Sequence, residues 1–190
     1  GMRALLAVYV AAQFFAHLPA GEAKAQASLT YGGYTSLVYA TGILGGMIAD
    51  RYLGYQRSII LGGLLMAVGC FMLLSPEIHL FLIGLAVIVA GNGLFKPNIS
   101  TMVGKLYAPG DVRRDSGFTI FYMGINAGAF VAPLITAVWI GANYGYKYGF
   151  LAAAIGMIFG IAVFQVRKGM LGHVGKSPAG REGWGPVLNV

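Results

Sequence analysis

Residues 79–104 read HLFLIGLAVIVAGNGLFKPNISTMVG, a long apolar stretch with a single charged side chain, Lys96. A lysine at membrane depth costs about 2.5 to 3.5 kcal/mol, so it usually faces a cavity, a partner or a ligand. Pro97 follows directly, lacks a backbone donor and tends to kink a helix. We therefore predict a transmembrane helix that lines a polar path with Lys96.

A second interpretation places Lys96 at the membrane surface. The 17 residues from His79 to Phe95 carry no charge and are nearly enough to cross a bilayer alone. Lys96 would then snorkel to the cytoplasmic surface. No further charge appears before Lys105, however, which favours a longer helix with Lys96 well inside.

The composition indicates a polytopic membrane protein. The chain has 190 residues, 57% hydrophobic and only 10% charged, whereas soluble domains average about 25% charged residues. A net charge of +7 could suggest nucleic-acid binding. We exclude it, because the basic residues lie in short loops rather than on one amphipathic face. The sequence has no catalytic triad, metal-ligand spacing or phosphate loop, so we expect neither an enzyme nor a cofactor.

We predict an all-α membrane protein with six transmembrane helices. Their approximate bounds are 1–17, 29–49, 58–74, 79–104, 116–140 and 148–166. The predicted domains are a six-helix bundle over residues 1–168 and a cytoplasmic connector over residues 169–190, where glycine, proline and charge are frequent.

Lysine and arginine predict the orientation of the bundle. One side carries nine of them: Arg51, Arg57, Lys105, Arg113, Arg114, Arg167, Lys168, Lys176 and Arg181. The other side carries two, Lys24 and Lys147. The positive-inside rule places the nine-residue side in the cytoplasm. All six acidic residues fall in loops or at helix ends.

Residues 45–57, GGMIADRYLGYQR, join the second and third predicted helices. Gly45 and Gly46 allow close approach of helices, and Gly54 permits a tight reversal with positive φ. Asp50 can pair with an arginine or lie at a helix N-terminus. A tight loop alone does not explain the ordered pattern G-x-x-x-D-R-x-x-G-x-x-R.

That pattern resembles the loop between helices 2 and 3 of the major facilitator superfamily. In the form GGxxADxxLGxxR it resembles the proton-dependent oligopeptide transporter family in particular. Residues 118–129, FTIFYMGINAGA, and residues 91–100, GNGLFKPNIS, are similar to that family's fifth and fourth helices. Residues 1–6, GMRALL, resemble the segment after its E-x-x-E-R-F-x-Y-Y motif. The resemblance implies the N-terminal bundle of a major facilitator fold, a 3+3 inverted repeat.

The function implied by the resemblance is that of the N-terminal half of a proton-coupled di-/tripeptide symporter working by alternating access. Its partners would be a small peptide, the lipid bilayer of the bacterial inner membrane and a second six-helix bundle, with protons as the coupling ion. Two alternatives stay open. The solute could be nitrate, another metabolite or a drug, or the chain, if complete, could be a non-transporting remnant or scaffold.

The resemblance also implies roles for individual residues. The substrate-binding residues would be Arg3, Tyr39, Lys96, Tyr122 and Asn126, with Lys96 also coupling protons. The gating residues would be Gly46, Asp50, Arg51, Gly54, Arg57 and Pro97. Cations and amides suit a peptide, which always offers a carboxylate, an amine and an amide plane.

Simpler roles remain for several of these residues. Arg3 could be a positive-inside flank, and Tyr39 and Tyr122 could be packing or interfacial aromatics. Asn126 could bond a neighbouring helix. Gly42 stands where the family usually has proline, and no carboxylate within the chain replaces those of the E-x-x-E-R motif.

Overall fold

The computed structural model describes residues 6, 9, 10, 14 and 16–176. Within them lie five long helices, which we label α1 (Ala20–Ile48), α2 (Tyr55–Met72), α3 (Ile78–Lys105), α4 (Arg113–Pro133) and α5 (Tyr146–Arg167). π-helical turns extend α1 over Ala49–Leu53 and α4 over Leu134–Gly141, where a short α-helical turn, Ala142–Tyr144, follows. A 3-10 turn, Lys168–Leu171, follows α5. The predicted all-α fold is confirmed over this part of the chain, which contains no strand.

Four segments of the described chain are long and apolar enough to span a membrane. They are Tyr55–Met72, Ile78–Lys105, Arg113–Tyr144 and Tyr146–Leu171. α1 is not among them, because its glycines, tyrosines, serines and threonines lower the mean hydropathy. The predicted first helix lies mostly outside the described residues. The four spans correspond to the third to sixth predicted helices, and the count of six stays a prediction.

One predicted helix boundary is wrong. α1 begins at Ala20, nine residues before the predicted start at Leu29, because its first turns contain good helix formers that are polar or small. Lys24 therefore lies in a helix rather than in a loop. The fifth predicted helix begins at Arg113 and changes to π-helical turns after Pro133, whose ring nitrogen has no hydrogen to donate.

Glycines allow α3 to pack directly against α2. A Cβ added to Gly62 would stand 2.5 Å from the carbonyl oxygen of Gly91, and one added to Gly84 would stand 3.0 Å from that of Gly69. The two antiparallel helices therefore meet backbone to backbone at both levels. Small residues at such crossings are the usual basis of helix association in membranes.

Aromatic side chains join the beginning of α3 to α5 and to the first part of the chain. The ring of Tyr9 lies 5.6 Å from that of Phe81 and 5.2 Å from that of Phe150. Phe81 and Phe150 are completely buried. Each such pair contributes about 0.5–1.5 kcal/mol beyond the area it buries. This cluster closes the end of the bundle opposite to the loop over residues 49–54.

Candidate functional site

Lys96 and Tyr39 meet across the contact between α1 and α3. The Lys96 Nζ atom lies 5.0 Å from the centroid of the Tyr39 ring. Both side chains are exposed, Tyr39 by 61%. A cation–π contact at an exposed site is worth about 0.5–1 kcal/mol, and it leaves the ammonium hydrogens available to an acceptor. Two predicted substrate-binding residues are therefore adjacent.

The length of α3 bears on the two interpretations of Lys96. Lys96 lies nine residues before Lys105, where α3 ends, which is about 14 Å along the axis. Its ammonium rests on the ring of Tyr39 in α1 rather than reaching the helix end. The geometry favours a lysine well inside the helix over one at the surface.

The pair is held by direct backbone contact between α1 and α3. A Cβ on Gly93 would stand 2.7 Å from the carbonyl oxygen of Thr41. The Thr41 hydroxyl donates a hydrogen bond to the carbonyl of Val89 across the same contact, at 3.2 Å. The two helices thus touch one turn away from Lys96, with no side chain between them.

Pro97 shapes this contact without interrupting α3, which stays helical through it. Because proline has no N–H, the carbonyl of Gly93 loses its partner within the helix. That oxygen lies where a Cβ on Gly45 would stand, so the backbone of α1 packs directly against it. Buried Asn98 donates hydrogen bonds to the carbonyls of Gly45 (3.2 Å) and Leu94 (2.7 Å).

The parts that Gly93 and Asn98 play in this contact were not predicted from the sequence. The available signal was the spacing of Gly93 and Pro97, since a proline frees the carbonyl four residues earlier. An asparagine directly after that proline is a second signal. Gly46 was predicted to share the close approach with Gly45, and this is wrong, because nothing lies within 4 Å of a Cβ added to Gly46.

The predicted residues on α4 lie apart from this pair. Within Arg113–Pro133 no residue is buried. Tyr122 contacts its own helix, with ring centroids 6.4 Å from Phe118 and 5.6 Å from Phe121. Asn126 is exposed, and in the described part of the chain neither residue bonds Lys96. Arg3 lies outside the described residues.

The loop over residues 49–54 makes the predicted reversal. Gly54 has φ of 74°, a conformation that favours glycine. Asp50 accepts a hydrogen bond from the Tyr55 hydroxyl, and that hydroxyl accepts one from Lys105 Nζ at 2.8 Å. Tyr55 therefore links the loop to the end of α3, a connection that was not predicted from the sequence. Arg51 is exposed and Arg57 half-buried.

One carboxylate near this end is strongly acidic. The guanidinium of Arg113 lies 2.8 Å from Asp111 and holds the pKa of that carboxyl at about 2, mainly by hydrogen bonds. A carboxyl pKa that is lower in the folded state stabilises the fold at pH values above the pKa of the unfolded state. That contribution is lost as pH falls through about 2. Asp111 therefore stays ionised near neutral pH and cannot exchange protons there.

The long apolar helices, their glycine contacts and an exposed cation inside one span define a polytopic membrane protein with a polar face. A sequence model of the POT family matches residues 56–179, more than half of the chain. The chain belongs to the POT family, and the resemblance found in its motifs is confirmed.

Relatives and solved structures agree with this assignment. The di-/tripeptide transporter of Lactococcus lactis subsp. lactis (strain IL1403) is 45% identical over 184 residues, which cover 94% of this chain and 36% of the relative. A mutant peptide transporter POT, solved in complex with alafosfalin, superimposes with a TM-score of 0.81 at 40% identity. A POT family transporter in complex with 5-aminolevulinic acid superimposes with a TM-score of 0.83 at 34% identity. Each structural match covers 99% of this chain and 40% of the other.

Proposed function

We propose that this chain forms the N-terminal six-helix bundle, residues 1–168, of a proton-coupled di-/tripeptide symporter of the bacterial inner membrane. Residues 169–190 would be its cytoplasmic connector. The cation–π contact between Lys96, which lies inside a membrane-spanning helix, and Tyr39 on α1 carries the proposal. The relative named as a di-/tripeptide transporter supports it, and this chain spans 36% of that relative's length.

Substrate binding would use the constant groups of a peptide. The peptide carboxylate accepts charge-assisted hydrogen bonds from Lys96, which Tyr39 holds in place, and Arg3 adds positive charge. Charge-assisted bonds are about twice as strong as neutral ones. Tyr122 and the amide of Asn126 would contact the peptide backbone. Such contacts give affinity with little dependence on peptide side chains.

Transport would follow from rocking of the bundle against a second one around the bound peptide. The α1–α3 contact is tight enough to move as one body, because backbone meets backbone at Gly93 and Gly45. α4 has no buried residue and would complete its packing against the second bundle. Proton exchange at Lys96 would bias the two conformations, and the loop with Asp50, Arg51, Gly54 and Arg57 would gate the cytoplasmic side.

Uptake of labelled dialanine into proteoliposomes tests the proposal. The complete gene product is reconstituted, and a pH gradient, acidic outside, is imposed. We expect accumulation that collapses when a protonophore removes the gradient. Accumulation that ignores the gradient would contradict symport, and no uptake by folded protein would favour a scaffold.

A second class of solute has specific support from one solved relative. That POT family transporter binds 5-aminolevulinic acid, which offers an amine and a carboxylate but no peptide bond. Competition separates the possibilities. We expect unlabelled dialanine to inhibit labelled dialanine uptake more strongly than 5-aminolevulinic acid or nitrate does, because only the dipeptide also engages Asn126 and Tyr122.

Asn126→Ala should weaken dialanine binding about 5- to 10-fold, because one hydrogen bond to the peptide backbone is lost. Binding is measured on purified, reconstituted protein, and expression should be unchanged since Asn126 is exposed. Asn143→Ala is the matched control, because that amide only bonds the carbonyl of Trp139 in its own segment. Equal affinity in the two variants would remove Asn126 from the site.

A further inference from the structure

An open cavity of about 650 Å³ lies at the end of the bundle where α2 begins and α3 ends. Four basic side chains line it: Lys105, Arg114, His173 and Lys176. The hydroxyl-bearing rings of Tyr55 and Tyr107 complete its polar lining. These groups come from three segments far apart in sequence, so loop charge alone does not account for their convergence.

Specific bonds hold the segment after α5 in this position. The backbone N–H of Gln56 donates to the carbonyl of Gly175 at 2.8 Å. Its side-chain amide donates to the carbonyl of Val174 at 2.7 Å. Gly175 has φ of +77°, and a Cβ there would approach the sulfur of Met102 to 3.0 Å. His173 and Lys176 are therefore anchored on either side of a docked segment.

Neighbouring rings orient two of the four basic side chains at the cavity. Lys105 Nζ lies 4.4 Å from the centroid of Tyr55 and bonds its hydroxyl. The guanidinium of Arg114 lies 5.8 Å from the ring centroid of Phe118. Both side chains are exposed, so these contacts orient them without covering their charge.

The nearby carboxylates lie outside the cavity lining. No aspartate or glutamate lies among the described residues that line the cavity. Asp50 accepts its bond from Tyr55, and Asp111 is paired with Arg113. Asp115 is exposed in the first turn of α4. The cavity therefore presents three lysine or arginine cations and an imidazole around one space.

We propose that this basic cavity binds a phosphate group, carried either by an anionic phospholipid or by a soluble metabolite. Ammonium, guanidinium and phenol donors converging on one space match the several acceptor oxygens of phosphate. The volume falls in the ordinary range for ligand sites. In the proposed orientation the cavity opens at the cytoplasmic surface, where anionic headgroups attract basic residues. This site is separate from the Lys96 pair and does not require peptide transport.

Paired double variants of the complete gene product test the proposal. Arg114→Gln with Lys176→Gln removes two cations from the cavity. Arg167→Gln with Lys168→Gln removes two cations from the same end of the bundle but outside the cavity lining, and it leaves the Arg113–Asp111 pair intact. Fluorescence-detected size exclusion checks that both variants are folded. Binding of phosphatidylglycerol and phosphatidylcholine is titrated by native mass spectrometry, and inorganic phosphate by thermal shift.

We expect the cavity variant to bind the phosphate-bearing ligand roughly 30-fold more weakly, and the control variant less than 5-fold. Loss of phosphatidylglycerol binding in the cavity variant alone identifies a lipid headgroup. Loss of stabilisation by inorganic phosphate alone identifies a soluble ligand. Equal effects in the two double variants, or none in either, would overturn the proposal.

Discussion

We expect Lys96→Ala to abolish proton-driven accumulation of labelled dialanine in proteoliposomes that contain the complete gene product. The substitution removes the only charged side chain between His79 and Gly104 and leaves Tyr39 without its cation. Under the proposed function a peptide carboxylate would lose its charge-assisted partner, and no other charged side chain remains between His79 and Gly104 to take part in coupling. We expect accumulation to fall more than 10-fold, to the level of empty liposomes.

Lys147→Ala is the matched control for this result. Lys147 also lies over a tyrosine ring, with its Nζ atom 5.1 Å from the centroid of Tyr148, but at the first turn of α5. Its loss removes the same charge and the same kind of contact away from the proposed site. We expect accumulation in this variant to stay within about twofold of the wild type, since exposed cation–π contacts are worth only about 0.5–1 kcal/mol.

The two interpretations of Lys96 predict different outcomes in this assay. A lysine that only snorkels to the surface can be replaced by alanine with modest effect, because the apolar span before it is preserved. Normal accumulation by a folded, monodisperse Lys96→Ala protein would therefore remove Lys96 from coupling. Loss of accumulation with preserved peptide exchange would assign it to proton coupling rather than to binding.

Local features of this chain were readable from the sequence. The apolar run over residues 79–104 predicts α3 to within one residue at each end, because charged residues flank an uninterrupted span. The tight reversal at Gly54 was predicted from the loop motif and is confirmed by its φ. Both features depend on neighbouring residues only. The start of α1 was not readable, because polar helix formers give no hydropathy signal.

Contacts between distant segments could not be predicted from the sequence. Tyr55 and Lys105 are 50 residues apart, and no periodicity connects them. The neighbourhood of Tyr39 and Lys96 was implied only by family resemblance, since spacing alone does not state which helices touch. Likewise, 30 glycines in the sequence do not show which of them meet another backbone.

Gly45 meets another backbone and the adjacent Gly46 does not, so substitution by alanine should separate the two. Gly45→Ala should be strongly destabilising. Its new methyl group would overlap the carbonyl of Gly93 and stand 2.9 Å from the backbone nitrogen of Leu94. Backbone atoms cannot rotate aside as a side chain can, so α1 and α3 must separate. The bond from Asn98 to the Gly45 carbonyl would be lost with the contact. We expect the free energy of unfolding to fall by at least about 2 kcal/mol.

Gly46→Ala should instead stabilise the protein slightly. Nothing lies within 4 Å of its added methyl group, and alanine is favoured over glycine within a helix by up to about 1 kcal/mol. Thermal stability of both variants in detergent, followed by fluorescence-detected size exclusion, gives the comparison. Equal loss in both would show that the α1–α3 contact is not the one described. If Gly45→Ala alone is destabilised, dialanine binding should fall with it, because the separation of α1 from α3 also parts Tyr39 from Lys96.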